Sequence, residues 1–141
     1  MQAIILAGGK GSRLKPFTTS IPKPLVPIGD TPILEVVLRQ LKHSGFKDVV
    51  LAVNHLAELV MAFFGNGQKI GLNISYSVED KPLGTVGPLT LMDDLDDNFL
   101  VMNGDLLTTI NYKDLFNYHL KNKNDITIAT HKKEVNIDLG V

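Results

Sequence analysis

Short apolar runs alternate with amphipathic stretches along this chain. Ala3, Ile4, Ile5 and Leu6 make a first apolar run, short enough for a buried strand. A helix follows the polar loop after it: Pro32 opens it, Thr31 is placed to cap it, and Ile33, Val36, Val37, Leu38 and Leu41 fall on one face. Gly45 is its stop. Residues 48–53 are a β-rich apolar run and predict a second strand. Asn54 then reads as the cap of a helix over about 56–64, ended by Gly65-Asn66-Gly67. Residues 72–78 alternate apolar and polar, which predicts a strand with one more exposed face. After a loop at 79–83, residues 84–92 suggest a short helix, although Pro88 and the glycines weaken it. Residues 99–102 predict a fourth strand, stopped by Asn103-Gly104-Asp105. A helix over 112–121 runs through Leu115, Phe116 and His119, and 125–130 predict a fifth strand.

Strand and helix in turn mean an α/β architecture with a mainly parallel sheet and right-handed crossovers. Ligands of such sheets sit beyond the carboxyl ends of the strands. The glycine loop after the first strand, residues 79–87 and Asn103-Gly104-Asp105 all follow strands. They are therefore expected at one edge. No internal repeat or low-complexity tract interrupts the pattern.

The 141 residues fit one domain, and 44% hydrophobic residues suffice for a core. A net charge of -1 implies neither nucleic acid nor an anionic membrane as partner. No apolar run approaches the ~18 residues of a membrane span, and the N-terminus enters the first strand with no sign of a signal peptide. The absence of cysteine excludes disulfides and thiolate metal sites and suits the cytoplasm. Positive charge is local instead: Lys10, Arg13, Lys15 and Lys23 stand in one stretch without an anion.

That stretch also holds Gly8, Gly9 and Gly11. Glycine lets the chain turn sharply and brings bare N–H groups close to a ligand. Backbone donors with cations at the end of a strand suit a polyphosphate. The spacing is neither a Walker A loop nor a dinucleotide fingerprint, since Gly9-Lys10-Gly11-Ser12-Arg13-Leu14 lacks the third glycine. Taken alone, a glycine turn with a solvated basic face reads as well. Arg13 offers a planar fork for phosphates, and Lys23 is restricted by Pro22 and Pro24 on either side. Asp105 at a strand end suits Mg²⁺, although by residue type alone an aspartate capping a turn is the commoner case. Asp93, Asp94, Asp96 and Asp97 lack EF-hand spacing and read as a solvated loop. His43, His55, His119 and His131 stand at no metal-ligand spacing, and no Gly-x-Ser-x-Gly elbow is present.

The run from Leu6 to Pro16, followed by Pro22-Lys23-Pro24-Leu25 and Pro27, resembles the signature of the sugar-phosphate nucleotidyltransferases. The mannose-1-phosphate guanylyltransferase-like and glucose-1-phosphate nucleotidyltransferase-like branches are nearest. Ser12 stands where that family usually has Thr and keeps the hydroxyl. Glu79-Asp80-Lys81-Pro82-Leu83-Gly84-Thr85-Val86-Gly87 resembles the family's second segment, with Val86 in place of Ala. The resemblance implies a Rossmann-like three-layer sandwich of the nucleotide-diphospho-sugar transferase type. It implies transfer of a nucleotidyl group from an NTP to a sugar 1-phosphate, with Mg²⁺ as cofactor. Arg13 and Lys23 are then the catalytic cations. Leu6, Ala7, Gly8, Gly9, Gly11, Ser12, Glu79, Gly84 and Thr85 bind the nucleotide, and Asp105 binds the metal. A carboxylate at Glu79 suits the donors of guanine, so GTP, or else dTTP, is expected; a solvated loop charge is the plainer alternative.

Members of that family are longer, so residues 1–141 are expected to be a truncated nucleotide-binding part. The apolar segment starting at 138–141 is then cut short, and the second metal carboxylate lies beyond it. Two other readings stay open: a module that binds nucleotide without turnover, and a nucleotidyltransferase with a non-sugar acceptor. An exposed sheet edge offers a route to a homo-oligomer.

Overall fold

The computed structural model describes residues 1–81 and 83–134. Pro82 and the expected apolar start at 138–141 lie outside them. The elements in chain order are β1 (Gln2–Leu6), β2 (Pro27–Ile28), β3 (Thr31–Pro32), α1 (Ile33–His43), β4 (Asp48–Val53), α2 (Ala57–Phe64), β5 (Asn73–Val78), β6 (Phe99–Asn103) and α3 (Tyr112–Asn122). Four strands form one parallel sheet in the order β5-β4-β1-β6. β2 and β3 pair as a small antiparallel hairpin. The architecture is the expected α/β, Rossmann-like one.

Parallel strands in register put alternate residues on one face. Ala3 lies beside Val49 and Leu100, and Ile5 beside Leu51 and Met102. This face carries the main core. Leu34, Val37, Leu38 and Leu41 of α1, spaced to form one stripe, are fully buried in it, with Val60 and Phe64 of α2 and Tyr112 of α3. Each such aliphatic side chain contributes about 1.5–3 kcal/mol. The opposite face bears Ile4 and Ala52, also fully buried. There the side-chain amide of Gln2 donates to Asp94 O (3.0 Å) and accepts from Asp96 N (2.9 Å), so the 94–96 segment crosses the sheet.

Four local expectations are corrected. Thr31 and Pro32 pair with β2, and α1 starts at Ile33 with no side-chain cap. The freed amide of Ile33 instead donates to Val26 O (3.0 Å). Asn54 does not cap α2; its side chain is drawn away to Glu79 O (2.7 Å), and Leu56, at φ 55°, precedes the helix. Residues 84–92 give only a 3₁₀ turn, Gly87–Leu91, because Pro88 supplies no amide for an α-helical ladder. Residues 125–130 are not a strand: they pair with none of the four, and Ile126 and Ile128 are each 77% exposed. A β-rich run needs a partner and a surface, and β6 is an edge here. Thr127 is held instead by His119 Nδ1 (2.9 Å) and Asn124 Nδ2 (3.1 Å). α3 gains a cap that the periodicity did not suggest, Asn111 Oδ1 accepting from Lys113 N and Asp114 N. Among the described residues no helix is long and apolar enough to cross a membrane.

Candidate active site

The carboxyl ends of all four sheet strands lie together. In register, Leu6 is beside Ala52 and Asn103, and Val53 beside Val78. Chain continuation then leads from β1 into the glycine loop, from β6 into Gly104 and Asp105, and from β5 into Glu79. β1 is flanked by β4 on one side and β6 on the other, a switch point where such sheets open a crevice.

A cleft of about 310 Å³ opens there. Leu6, Ala7 and Gly9 form its floor, Glu79, Gly84 and Thr85 one wall, and Lys23 and Asp105 the other. A side cleft of about 280 Å³ reaches Gly8, Lys10 and Asn54 and shares Gly9, Glu79 and Gly84. A notch of about 300 Å³ holds Arg13 together with Lys23 and Asp105 on an apolar base of Val26, Ile28 and Ile33. Ser12 is exposed on the 3₁₀ turn Ser12–Leu14, and neither it nor Gly11, which precedes that turn, lines these three spaces. A larger groove, about 800 Å³, lies elsewhere, between α1 and 108–113, and contains none of the predicted site residues.

The glycines have separate reasons. A Cβ on Gly8 would stand 3.2 Å from Asn54 Cβ and 3.3 Å from Glu79 Oε1. Gly8 therefore allows the loops after β1, β4 and β5 to close on one another. A Cβ on Gly9 would meet nothing within 4 Å, which leaves its backbone open to the cleft. Gly11 adopts φ +59°, a left-handed conformation that ordinary residues avoid. Gly104 packs where a Cβ would be 3.0 Å from Ile5 Cγ2, and its amide donates to Leu6 O (3.0 Å). That bond fixes the approach of Asp105 to the glycine loop.

Lys23 opens a 3₁₀ turn, Lys23–Leu25, between two buried prolines. Its ammonium forms an ion pair with the carboxylate of Asp105, both side chains about one-third exposed. Thr18 was not singled out by the sequence. It is 2% exposed, and its hydroxyl donates to Gly11 O (2.7 Å), pinning the glycine loop from below. The signal available was the hydroxyl run Thr18-Thr19-Ser20, in which nothing marks one residue over the others.

Glu79 is not a solvated loop charge. It is 8% exposed, its Oε2 accepts from Leu83 N (3.1 Å), and its backbone bonds to Val53 O and to the side chain of Asn54. Its Oε1 accepts from no described residue and stands beside Gly8. For a metal, Asp105 is a partly exposed carboxylate on the cleft wall, a suitable oxygen donor. Among the described residues no group of three or more His, Asp or Glu gathers to complete a cage. A divalent cation held by one carboxylate together with oxygens of an anionic ligand fits this donor set.

The arrangement can hold an anion chain against backbone amides and cations, with a buried carboxylate at the far wall. Known proteins resemble the chain. The mannose-1-phosphate guanyltransferase of Yarrowia lipolytica is 39% identical over 146 residues, which cover 100% of this chain and 40% of the relative. The corresponding Saccharomyces cerevisiae enzyme is 38% identical with the same coverage. This chain thus spans about 40% of the length of these curated relatives. The solved structure of HddC from Yersinia pseudotuberculosis complexed with GMP-PN superposes with a TM-score of 0.72 at 28% identity, covering 84% of this chain and 54% of that one. The family model for nucleotidyl transferases matches residues 2–141, and the chain belongs to that family.

Proposed function

We propose that residues 1–141 are the nucleotide-binding part of a nucleotidyltransferase domain that makes a guanosine-diphosphate sugar from GTP and a sugar 1-phosphate. The observation that carries this reading is the convergence of the glycine loop, Lys23, Asp105 and Glu79 on one cleft at the sheet's switch point. An oxygen of the sugar phosphate attacks the α-phosphorus. The bond from that phosphorus to the bridging oxygen breaks, and pyrophosphate leaves with the electron pair. No covalent enzyme intermediate is needed; positioning and charge stabilisation suffice.

Leu6, Ala7, Gly8 and Gly9 line the nucleotide's path with backbone. Lys23 stands where an ammonium can meet charge building on the α-phosphate. Arg13, in the adjoining notch, offers its fork to the leaving pyrophosphate. Gly11 and Ser12 shape the turn that carries it. Asp105 would hold Mg²⁺, which when bound would offset the phosphates' charge. Gly84 and Thr85 border the base. The free Oε1 of the buried Glu79 supports guanine, whose Watson–Crick edge presents two neighbouring donors where thymine presents one. The guanyltransferase names of the two relatives and the GMP-PN complex of HddC support the same base, and the relatives' names support mannose 1-phosphate as acceptor. A cytoplasmic setting belongs to this reading, supported by the cysteine-free sequence.

Calorimetric titration with GTP, dTTP, UTP and CTP in the presence of Mg²⁺ tests it, with pyrophosphate release followed alongside mannose and glucose 1-phosphates. GTP is expected to bind best. Equal binding of all four, or binding of none, refutes the reading. Binding of GTP without turnover agrees with a nucleotide-binding part that spans about 40% of its relatives' length.

A further inference from the structure

Asp105 and Lys23 are site residues of opposite charge, and they are bonded to each other. The other ion pairs among the described residues, Glu35 with Arg39 and Glu134 with Lys132, lie away from the cleft. Lys10, Arg13 and Lys15 appear in none of these pairs. One cation of the loop is therefore already engaged by the carboxylate that suits a metal, while its neighbours are not.

The backbone beneath Lys23 has little freedom. Pro22 and Pro24 are buried, and Gly11 presents no Cβ where one would stand 3.2 Å from Lys23 Cβ. Changing partner thus falls to the long side chain, whose rotamers interconvert easily on an exposed wall. The pair borders both the main cleft and the Arg13 notch, so its ammonium has two anion-accepting spaces within the sweep of the side chain.

We propose that Lys23 serves as an internal counter-ion that holds Asp105 in the ligand-free protein, so that divalent cation and nucleotide enter as a unit. This rests on the reading of Asp105 as a metal ligand given above. A dication cannot share a carboxylate with an ammonium at contact distance without strong repulsion. The metal therefore takes Asp105 only as Lys23 leaves, and Lys23 leaves readily only when phosphates offer it a new partner. Metal without nucleotide binds poorly, and each ligand raises the affinity for the other by the same factor. A partly exposed pair is weak enough for this exchange: such pairs hold by only about 0.2–1 kcal/mol.

The test is Mn²⁺ binding to the full chain without nucleotide, read by electron paramagnetic resonance of the free ion. Lys23→Ala is expected to bind Mn²⁺ about threefold to tenfold more tightly than the parent, through loss of the pair and of the repulsion. Lys23→Met, which keeps the stem's packing, should show the same gain, and circular dichroism verifies the fold of each variant. Adding Asp105→Asn to either variant should abolish the gain. Equal affinities in parent and Lys23 variants, with Asp105→Asn still weakening binding, overturn the counter-ion proposal and leave Asp105 as a ligand. An Asp105→Asn variant that binds Mn²⁺ as tightly as its parent overturns the metal reading itself.

Discussion

Replacing Gly11 with alanine perturbs the left-handed turn of the glycine loop at a single atom. Gly11 sits at φ +59°, where an L-residue costs about 1–2 kcal/mol. The added Cβ would also stand 2.8 Å from Thr18 Cγ2 and 3.2 Å from both Thr18 Cβ and Lys23 Cβ. Thr18 cannot yield: it is 2% exposed and bonded to Gly11 O. Overpacking of this kind costs about 1–3 kcal/mol. A smaller opposing gain, about 0.4–1 kcal/mol, comes from the stiffer unfolded chain. We expect Gly11→Ala to lose roughly 2–4 kcal/mol, which for a chain of this size lowers Tm by roughly 5–12 °C.

Urea denaturation followed by circular dichroism measures the loss, and a second substitution identifies its cause. Thr18→Ser removes the methyl group in the worst contact and keeps the hydroxyl bond. Alone it should cost about 1 kcal/mol for a buried methyl. Combined with Gly11→Ala it should restore at least about 1 kcal/mol relative to additivity, since the two positions share one contact. Strict additivity would refute the steric account. A Gly11→Ala protein as stable as the parent would refute the cost of the left-handed conformation as well.

Three further outcomes follow from the same geometry. Tyr112→Phe should stabilise the protein by about 1 kcal/mol in urea melts at pH 8, because its buried hydroxyl has no partner among the described residues; a destabilised variant would contradict this. Burial raises the phenol pKa of Tyr76 and Tyr112, so above about pH 10 the unfolded chain gives up protons that the folded one retains, and stability falls with rising pH. The urea midpoint should drop between pH 9 and pH 11, less so in Tyr112→Phe, and a flat profile would count against it (both pH values are assay settings about the unfolded Tyr pKa of ~10). Glu79→Gln should weaken GTP binding about tenfold or more while keeping the fold, since it replaces a charged acceptor at a desolvated wall; calorimetry showing unchanged selectivity among GTP, dTTP and UTP would remove Glu79 from base recognition.

The sheet was legible because its signals are local and repeat. Residues 48–53 are all strand, as the apolar run requires. The stripe of α1 keeps Val37, Leu38 and Leu41 of the expected face and adds Leu34, while Ile33 and Val36 are only partly buried. The errors arose where a tertiary partner decides. The run at 125–130 has the composition of a strand, but composition supplies no neighbour, and beyond the edge strand β6 it stays unpaired. Thr31 and Asn54 have the side chains of helix caps. Each was claimed by something distant in sequence or by the hairpin: Thr31 by Ile28, Asn54 by Glu79.

The site divides along the same line. Gly8 and Asp105 could be picked out because each follows a strand end within a stretch that resembles the family's, and strand ends of a parallel sheet converge; Lys23, away from the sheet, stood out by its flanking prolines. What motif density cannot convey is which side chain supports which. Glu79 looks like any acid at the start of a polar loop. Only the fold shows that Gly8 leaves room for its Oε1, that Asn54 fixes its backbone, and that Leu83 N occupies its Oε2. These three contacts come from three different strand ends, so no window of sequence contains them. They also turn an ordinary loop charge into a buried acceptor with one oxygen facing the cleft. A protein donor meets only one of this carboxylate's two oxygens. A ligand donor at Oε1 would meet the other, and for this reason base selectivity is the property in which a change at Gly8 or Asn54, neither of which needs to touch the base, should appear first.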